Sequence, residues 1–172
     1  MRSFLLILST AIITAVVTFF LYTPASLLIF KITEPSFGYP IKSETGRMII
    51  RNDVLGNGGF GAKRRGGRTH SGVDIAAKLN TPVYASKSGI AFRGNVPTGY
   101  GKYILIYHPD GTQTLYSHLF NWAVNTGKQI HKGDLIGFVG KTGNAANKKI
   151  LAHLHFEIRS DGDPVDPTGA MR

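Results

Sequence analysis

The sequence predicts a mainly β domain behind one apolar N-terminal helix. Three observations carry this. Ala152 to Ile158 alternates with a period of two, placing His153, His155 and Glu157 on one face of a strand and Leu154, Phe156 and Ile158 on the other. Pro82 to Gly140 is a succession of short apolar, β-branched or aromatic runs separated by glycine and proline turns, and no segment after the N-terminal run keeps a helical period beyond about three turns. Ser3 to Phe30 contains no charged residue.

That uncharged run sets the N-terminal organisation. Phe4 to Tyr22, before Pro24, would form a helix roughly 28 Å long, close to the ~30 Å hydrocarbon thickness of a bilayer. The reading is a short cytoplasmic stub over 1–3 and a transmembrane signal anchor over 4–30. Two rivals are weighed against it. An all-round apolar helix at the chain start is a poor core helix. Thr23-Pro24-Ala25 could pass for a signal-peptide cleavage site, but the apolar region is longer than a usual signal core and continues through Leu27 to Phe30. Anchored or cleaved, the body is exported; the expected arrangement is a single pass with the domain on the outer face of the membrane, or a secreted domain if the N-terminus is cleaved.

Residues 31–47, with Pro35, Gly38, Pro40 and Gly46, read as an irregular linker, and the globular domain as 48–172. A chain of 172 residues with 42% hydrophobic residues allows one domain with a real core. There is no cysteine, so a metal site must use nitrogen and oxygen ligands. Only one of the 20 basic residues precedes Lys31, so the exported part carries +9 of the net +10. Such charge suits an anionic partner: wall polymers, anionic lipids or nucleic acid. Nucleic acid is set aside, because the chain is exported and shows neither a recognition-helix pattern nor interleaved basic and aromatic residues.

The glycine- and arginine-rich loop Asn57 to Arg68 lacks the Gly-Lys-Ser/Thr of a phosphate loop and no helix follows it; it reads as the wall of a cleft that lets backbone approach a ligand, its arginines solvated or touching anionic substrate. It leads into His70-Ser71-Gly72-Val73-Asp74, whose i and i+4 residues share a face in extended chain, so His70 and Asp74 can converge on one ion. Pro82–Ala85 and Gly89–Phe92 read as a first pair of strands. Tyr103–Tyr107 and Thr112–His118 read as a hairpin turned by Pro109-Asp110-Gly111, with Thr114, Tyr116 and His118 on one face. His108 at the hairpin mouth reads as structural or exposed, and His131 in a turn-rich stretch as solvated.

Taken together, His70-x-x-x-Asp74, Tyr116-x-His118, the Gly-Lys-x-x-x-Lys-Gly-Asp-x-Ile-Gly-x-x-Gly run over Gly127 to Gly140, and His153-Leu154-His155-Phe156-Glu157 resemble the lysostaphin-like, LytM-type zinc metallopeptidases that cut peptidoglycan peptides. The resemblance spans roughly Gly56 to Pro167. It implies an antiparallel β-sheet groove with a duplicated hybrid, barrel-sandwich-like motif. It implies Zn2+ held by His70, Asp74 and His155, with His118 and His153 as catalytic residues whose division into acid and base stays open. Two imidazoles and one carboxylate would leave a zinc ion an open fourth position, as in catalytic sites. Glu157 is either a partner orienting a ligand or a structural ion pair. The implied function is a membrane-anchored zinc endopeptidase acting on peptidoglycan stems or cross-bridges, with a non-catalytic activator of another wall hydrolase as the alternative. A lipoyl-like carrier lacks a presented lysine or histidine. Two departures stand out. The segment Asn144 to Ala152 is longer and more basic than the family's usual short turn, and the tyrosine that some members place near the oxyanion is not identifiable. Some members block the metal with an upstream residue; Asn52, Asp53 and Asn57 are upstream and polar.

Overall fold

The computed structural model describes residues 12–17, 25–42 and 48–172. The chain divides into two units, Met1–Pro35 and Ser36–Arg172. In the first, described helix covers 12–17 and 25–33, and among the described residues no helix is long and apolar enough to cross a membrane. The span expected over 4–30 lies for the larger part outside the described residues.

The second unit is built from β1 (Asn52–Asp53), β2 (Gly56–Asn57), β3 (Val73–Ala76), β4 (Pro82–Tyr84), β5 (Gly89–Asn95), β6 (Lys102–Tyr107), β7 (Gln113–Ser117), β8 (Leu119–Trp122), β9 (Gln129–Ile130), β10 (Leu135–Val139), β11 (His153–Ser160) and β12 (Asp163–Val165), with three short 3-10 turns. One sheet runs β12-β11-β7-β6-β5-β9, with β3 also on β11; a second runs β4-β10-β8, and β1 pairs with β2. Pairing within these sheets is antiparallel, and the mainly β expectation holds.

One core joins the two sheets. Leu154, Phe156 and Ile158 of β11 lie in it with Tyr116, Ile104, Ile106 and Ala91 of the large sheet and Val83, Leu119, Ile136 and Val139 of the small one. Burying the three β11 side chains stabilises the fold by roughly 5–9 kcal/mol before ordering costs.

Three features differ from the sequence expectation. The first two predicted strands both form, but not against each other: β4 pairs with β10, whereas β5 pairs with β6 and β9. The chain between them, Ala85 to Lys87, is buried and crosses from one sheet to the other, held where Ser86 N donates to Tyr116 Oη. Part of the expected linker belongs to the domain. Phe37 and Ile41 are buried in the core, Phe37 forms a parallel bridge with Met171, and Tyr84 N donates to Pro40 O. The prolines and glycines there mark irregular backbone, but irregular backbone can still pack when its amides find partners. The third difference concerns His118, taken up below. The predicted hairpin forms as β6–β7, with Gly111 at φ +86° in its turn.

Candidate metal centre

The site is assembled by strand register. On β11, His155 lies opposite Asp74 of β3 on one side and Ser117 of β7 on the other, so one carboxylate and one imidazole are fixed side by side. His70, four residues before Asp74, adds a third donor. His70 Nε2, Asp74 Oδ1 and His155 Nδ1 form a triangle with sides of 2.9, 2.9 and 3.0 Å. All three residues are buried.

Each donor is aimed by a second contact. His70 Nδ1 faces Gly59 O at 2.8 Å, and His155 Nε2 faces Glu157 Oε1 at 2.9 Å. If these nitrogens donate, as their acceptor partners require, both imidazoles turn lone pairs into the triangle. Asp74 Oδ1 adds a third, while Oδ2 is taken by Arg51, whose Nη2 and Nε donate at 2.9 and 3.3 Å. Three converging lone pairs repel one another unless a cation lies between them. Tetrahedral zinc with bonds of ~2.0–2.2 Å needs donors about 3.3–3.5 Å apart, a few tenths wider than this triangle. The residues therefore fit Zn2+, and both ligating imidazoles already have the outer partners that such ligands use. The field of the site is consistent with this. Burial alone lowers the pKa of His155, yet hydrogen bonds to Asp74 and Glu157 outweigh it and raise the value. For Asp74, burial opposes ionisation, but His155 and His70 hold its carboxyl well below the usual range.

The two remaining histidines face the same centre. His153 Nδ1 is tied to Leu151 O at 2.7 Å and its Nε2 is 3.8 Å from Asp74 Oδ1; His118 Nδ1 is tied to Thr142 O at 2.9 Å. Their rings are 5.0 Å apart, and the His118 ring is 5.8 Å from that of His155. Burial pushes both pKa values down, His118 to about 3, so both are neutral at pH 7.

His118 reaches this side against the strand pattern. Tyr116 and Thr114 are buried, and Tyr116 pairs with Phe156, so strict alternation would send His118 to the core face with them. Instead His118 sits at φ +61°, with its N–H donating to Tyr100 O, and the left-handed residue ends β7. A non-glycine residue there costs about 1–2 kcal/mol, and such strain gathers at functional sites.

Around the ligands stand Glu157, whose two roles the sequence already offers, and Arg51, which no sequence motif marks. Glu157 is both an orienting partner and an ion pair: it holds His155 and also accepts from Ser71 Oγ, Tyr100 Oη and Arg159 at 2.5, 3.0 and 2.6 Å. Burial opposes its charge, but these partners, His155 first, hold its pKa at about 2. Arg51 bridges Asp74 and Asp53, with Nη1 at 2.7 Å from Asp53 Oδ2. Asp53 Oδ2 in turn accepts from Leu151 N, the residue whose carbonyl holds His153. Only the charge of Arg51 hinted at this. Arg64 is not free either; it donates to Asn57 O and reaches Asp74 Oδ2 at 3.4 Å. Gly58 explains the glycine loop, since a Cβ there would lie 2.7 Å from Asp74 Cβ. Asp53 is occupied by Arg51 and Leu151, and Asn57 Oδ1 accepts from Gly59 N. His108 is buried between Ser88 O and Thr114 Oγ1, a structural role, and His131 is exposed.

Comparison with known proteins decides the family. Residues 68–167 match the description "Peptidase family M23". The chain belongs to that family. This M23 domain is 44% identical over 101 residues to DD-carboxypeptidase/endopeptidase Mpg of Neisseria meningitidis serogroup B, covering 58% of this chain and 22% of that protein. It is 34% identical over 97 residues to Peptidoglycan DD-endopeptidase ShyA of Vibrio cholerae, covering 56% and 22%. Among solved structures, a zinc-containing peptidase from Vibrio cholerae aligns at TM-score 0.61 and 29% identity over 76% of this chain and 38% of that one. The catalytic domain of lysostaphin from Staphylococcus simulans aligns at TM-score 0.57 and 32% identity over 64% and 86%. The chain spans 22% of the first curated relatives' length. The resemblance read from the sequence is thus borne out. All five predicted site residues fall inside the M23 match, whereas Arg51, Asp53 and Gly59 precede it.

Proposed function

We propose that this M23 domain is a zinc endopeptidase that hydrolyses amide bonds in the peptide stems or cross-bridges of peptidoglycan. The observation that carries the reading is the triangle of His70 Nε2, Asp74 Oδ1 and His155 Nδ1, faced by two further neutral imidazoles. Zinc bound there would supply Lewis acidity, acidifying water and polarising an amide carbonyl. His118 and His153, each with Nδ1 anchored to a backbone carbonyl, would keep Nε2 free to accept a proton from the attacking water, donate one to the departing amine, or stabilise the oxyanion. Burial lowers both pKa values, which keeps the two imidazoles neutral at pH 7, each with one nitrogen lone pair. Glu157 and Arg51 hold the ligand geometry while this happens.

The proposal includes a membrane anchor over 4–30 with the domain on the outer face of a bacterial cytoplasmic membrane. It is supported by the uncharged stretch Ser3 to Phe30 and by the exported character of wall substrates. A non-catalytic activator on the same scaffold is the weaker reading, because the complete ligand set and both outer histidines are retained.

The test is the purified chain loaded with zinc. It is expected to bind about one zinc, to release peptide fragments from isolated peptidoglycan whose masses identify the cut bond, and to lose release with chelator. His118→Ala should keep zinc and lose cleavage. Zinc binding with no fragment released from walls of several chemotypes would transfer the case to the activator.

A further inference from the structure

The two loops that border the metal centre carry one sign of charge. Residues 58–70 and 140–153 contain seven lysines and arginines and no aspartate or glutamate. Both loops are tied to the site by hydrogen bonds. Gly59 O holds His70, Thr142 O holds His118, and Leu151 O holds His153. Lys63, Arg68, Lys148 and Lys149 are exposed on these loops. Lys149 lies two residues from Leu151, so its backbone is within roughly 7 Å of the carbonyl that anchors His153. The turn presenting Lys148 and Lys149 is fixed, with Lys149 N donating to Asn147 Oδ1 and Ile150 N to Asn147 O.

The carboxylates nearest the centre offset only one of these charges. Asp53 and Asp74 share Arg51 and Arg64, and Glu157 pairs with Arg159, so Arg64 alone of the seven is committed to them. The exposed Asp161 and Asp163 lie at the other end of β11, Asp163 opposite Ser160, roughly 15–20 Å along the strand from His155. The loops beside the metal centre are therefore cationic, and Asp161 and Asp163 lie toward the far end of the central strand.

We infer that these loops select peptide substrates bearing free carboxylates beside the bond to be cut, over the same peptides with those carboxylates amidated. This rests on the peptidoglycan-peptide reading above and adds a substrate class to it. The physical cause is charge complementarity at the rim, which acts mainly on encounter and weakens with salt because the Debye length is only about 8 Å at physiological ionic strength. Arg64 is excluded from the recognition set because it already contacts Asp74.

The experiment uses the zinc-loaded full chain and two soluble stem peptides that differ only in whether their side and terminal carboxyls are free or amidated. Cleavage gives kcat/KM, and fluorescence anisotropy of labelled peptides gives binding separately. The free-carboxyl peptide is expected to be favoured about 3- to 10-fold at low salt, with the preference shrinking as salt rises. Lys148→Gln with Lys149→Gln should lower kcat/KM for that peptide mainly through KM, leave kcat and zinc content unchanged, and have little effect on the amidated peptide. Lys148→Glu with Lys149→Glu should reverse the preference. Equal cleavage and binding of both peptides, with no salt dependence, would overturn the inference while leaving the peptidase reading intact. Discriminating binding without cleavage of either peptide would sink the peptidase reading and leave the charge selection standing.

Discussion

Replacing Arg51 with methionine removes one guanidinium and leaves two carboxylates, Asp74 and Asp53, without their buried cation. The side chains of the Arg51–Asp74 pair are 6% and 5% exposed, and those of Arg51–Asp53 6% and 7%, so water cannot take over. Removing one partner of a buried ion pair costs about 3–5 kcal/mol. At ~3–4 °C per kcal/mol for a domain of this size, Tm should fall by about 10–20 °C in Arg51→Met. The metal centre should respond separately, because Asp74 Oδ2 loses the donors that turn Oδ1 toward His70 and His155. Loss of such an outer partner weakens metal binding by about 10- to 100-fold. Arg51→Lys supplies one charge but no fork, so it should recover part of the stability and less of the affinity. Thermal denaturation of the zinc-free protein and chelator competition on the loaded protein separate the two effects. If Arg51→Met melted within 2 °C of the wild type and bound zinc as tightly, the bracing role would be wrong.

Glu157→Gln keeps the shape of the side chain but removes the charge that holds His155 Nε2, so zinc affinity should fall by about 10- to 100-fold in chelator competition; unchanged affinity would mean that Glu157 is only the partner of Arg159. The zinc-free domain should be most stable near pH 6.5. Below that, the unfolded chain protonates its histidines while His118, with a pKa of about 3, and His153 resist, so stability falls as pH drops, by up to about 1.4 kcal/mol per pH unit for each. Asp74 and Glu157, both depressed, add to the loss below the ordinary carboxylate range, Glu157 down to about 2. Above 6.5, His155, whose pKa is raised, sheds its proton in the unfolded chain first, and its contribution is lost as pH climbs through the folded value. Urea denaturation across pH 2–8 reads both limbs, and a stability that kept rising above pH 7 would contradict the His155 assignment.

Much of the site was legible because the chemistry of each motif is local. His70 and Asp74 sit four apart, His153 and His155 two apart, and alternation put the β11 histidines opposite Leu154, Phe156 and Ile158. The absence of cysteine restricted the donors to nitrogen and oxygen, and the resemblance to the metallopeptidases supplied zinc. What the sequence could not supply was everything fixed by contacts across the chain. The partner of β4 is β10, more than 50 residues away, and no local pattern records which strand closes on which. Arg51 reads as one more surface cation until β3 brings Asp74 beside it. Phe37 and Ile41 read as linker until Met171 and the core give them something to pack against. His118 is the sharpest case: a period of two sends it into the core with Tyr116, and only a single left-handed residue, tolerated because its amide and its ring both find carbonyls, turns it back to the metal side. The amino-acid sequence thus determined the donor chemistry, the strand period and the charge of the loops beside the site, since these depend on residue type and near neighbours. The tertiary structure decided which groups meet and how they are aimed, since register, burial and a strained φ are properties of the packed chain as a whole.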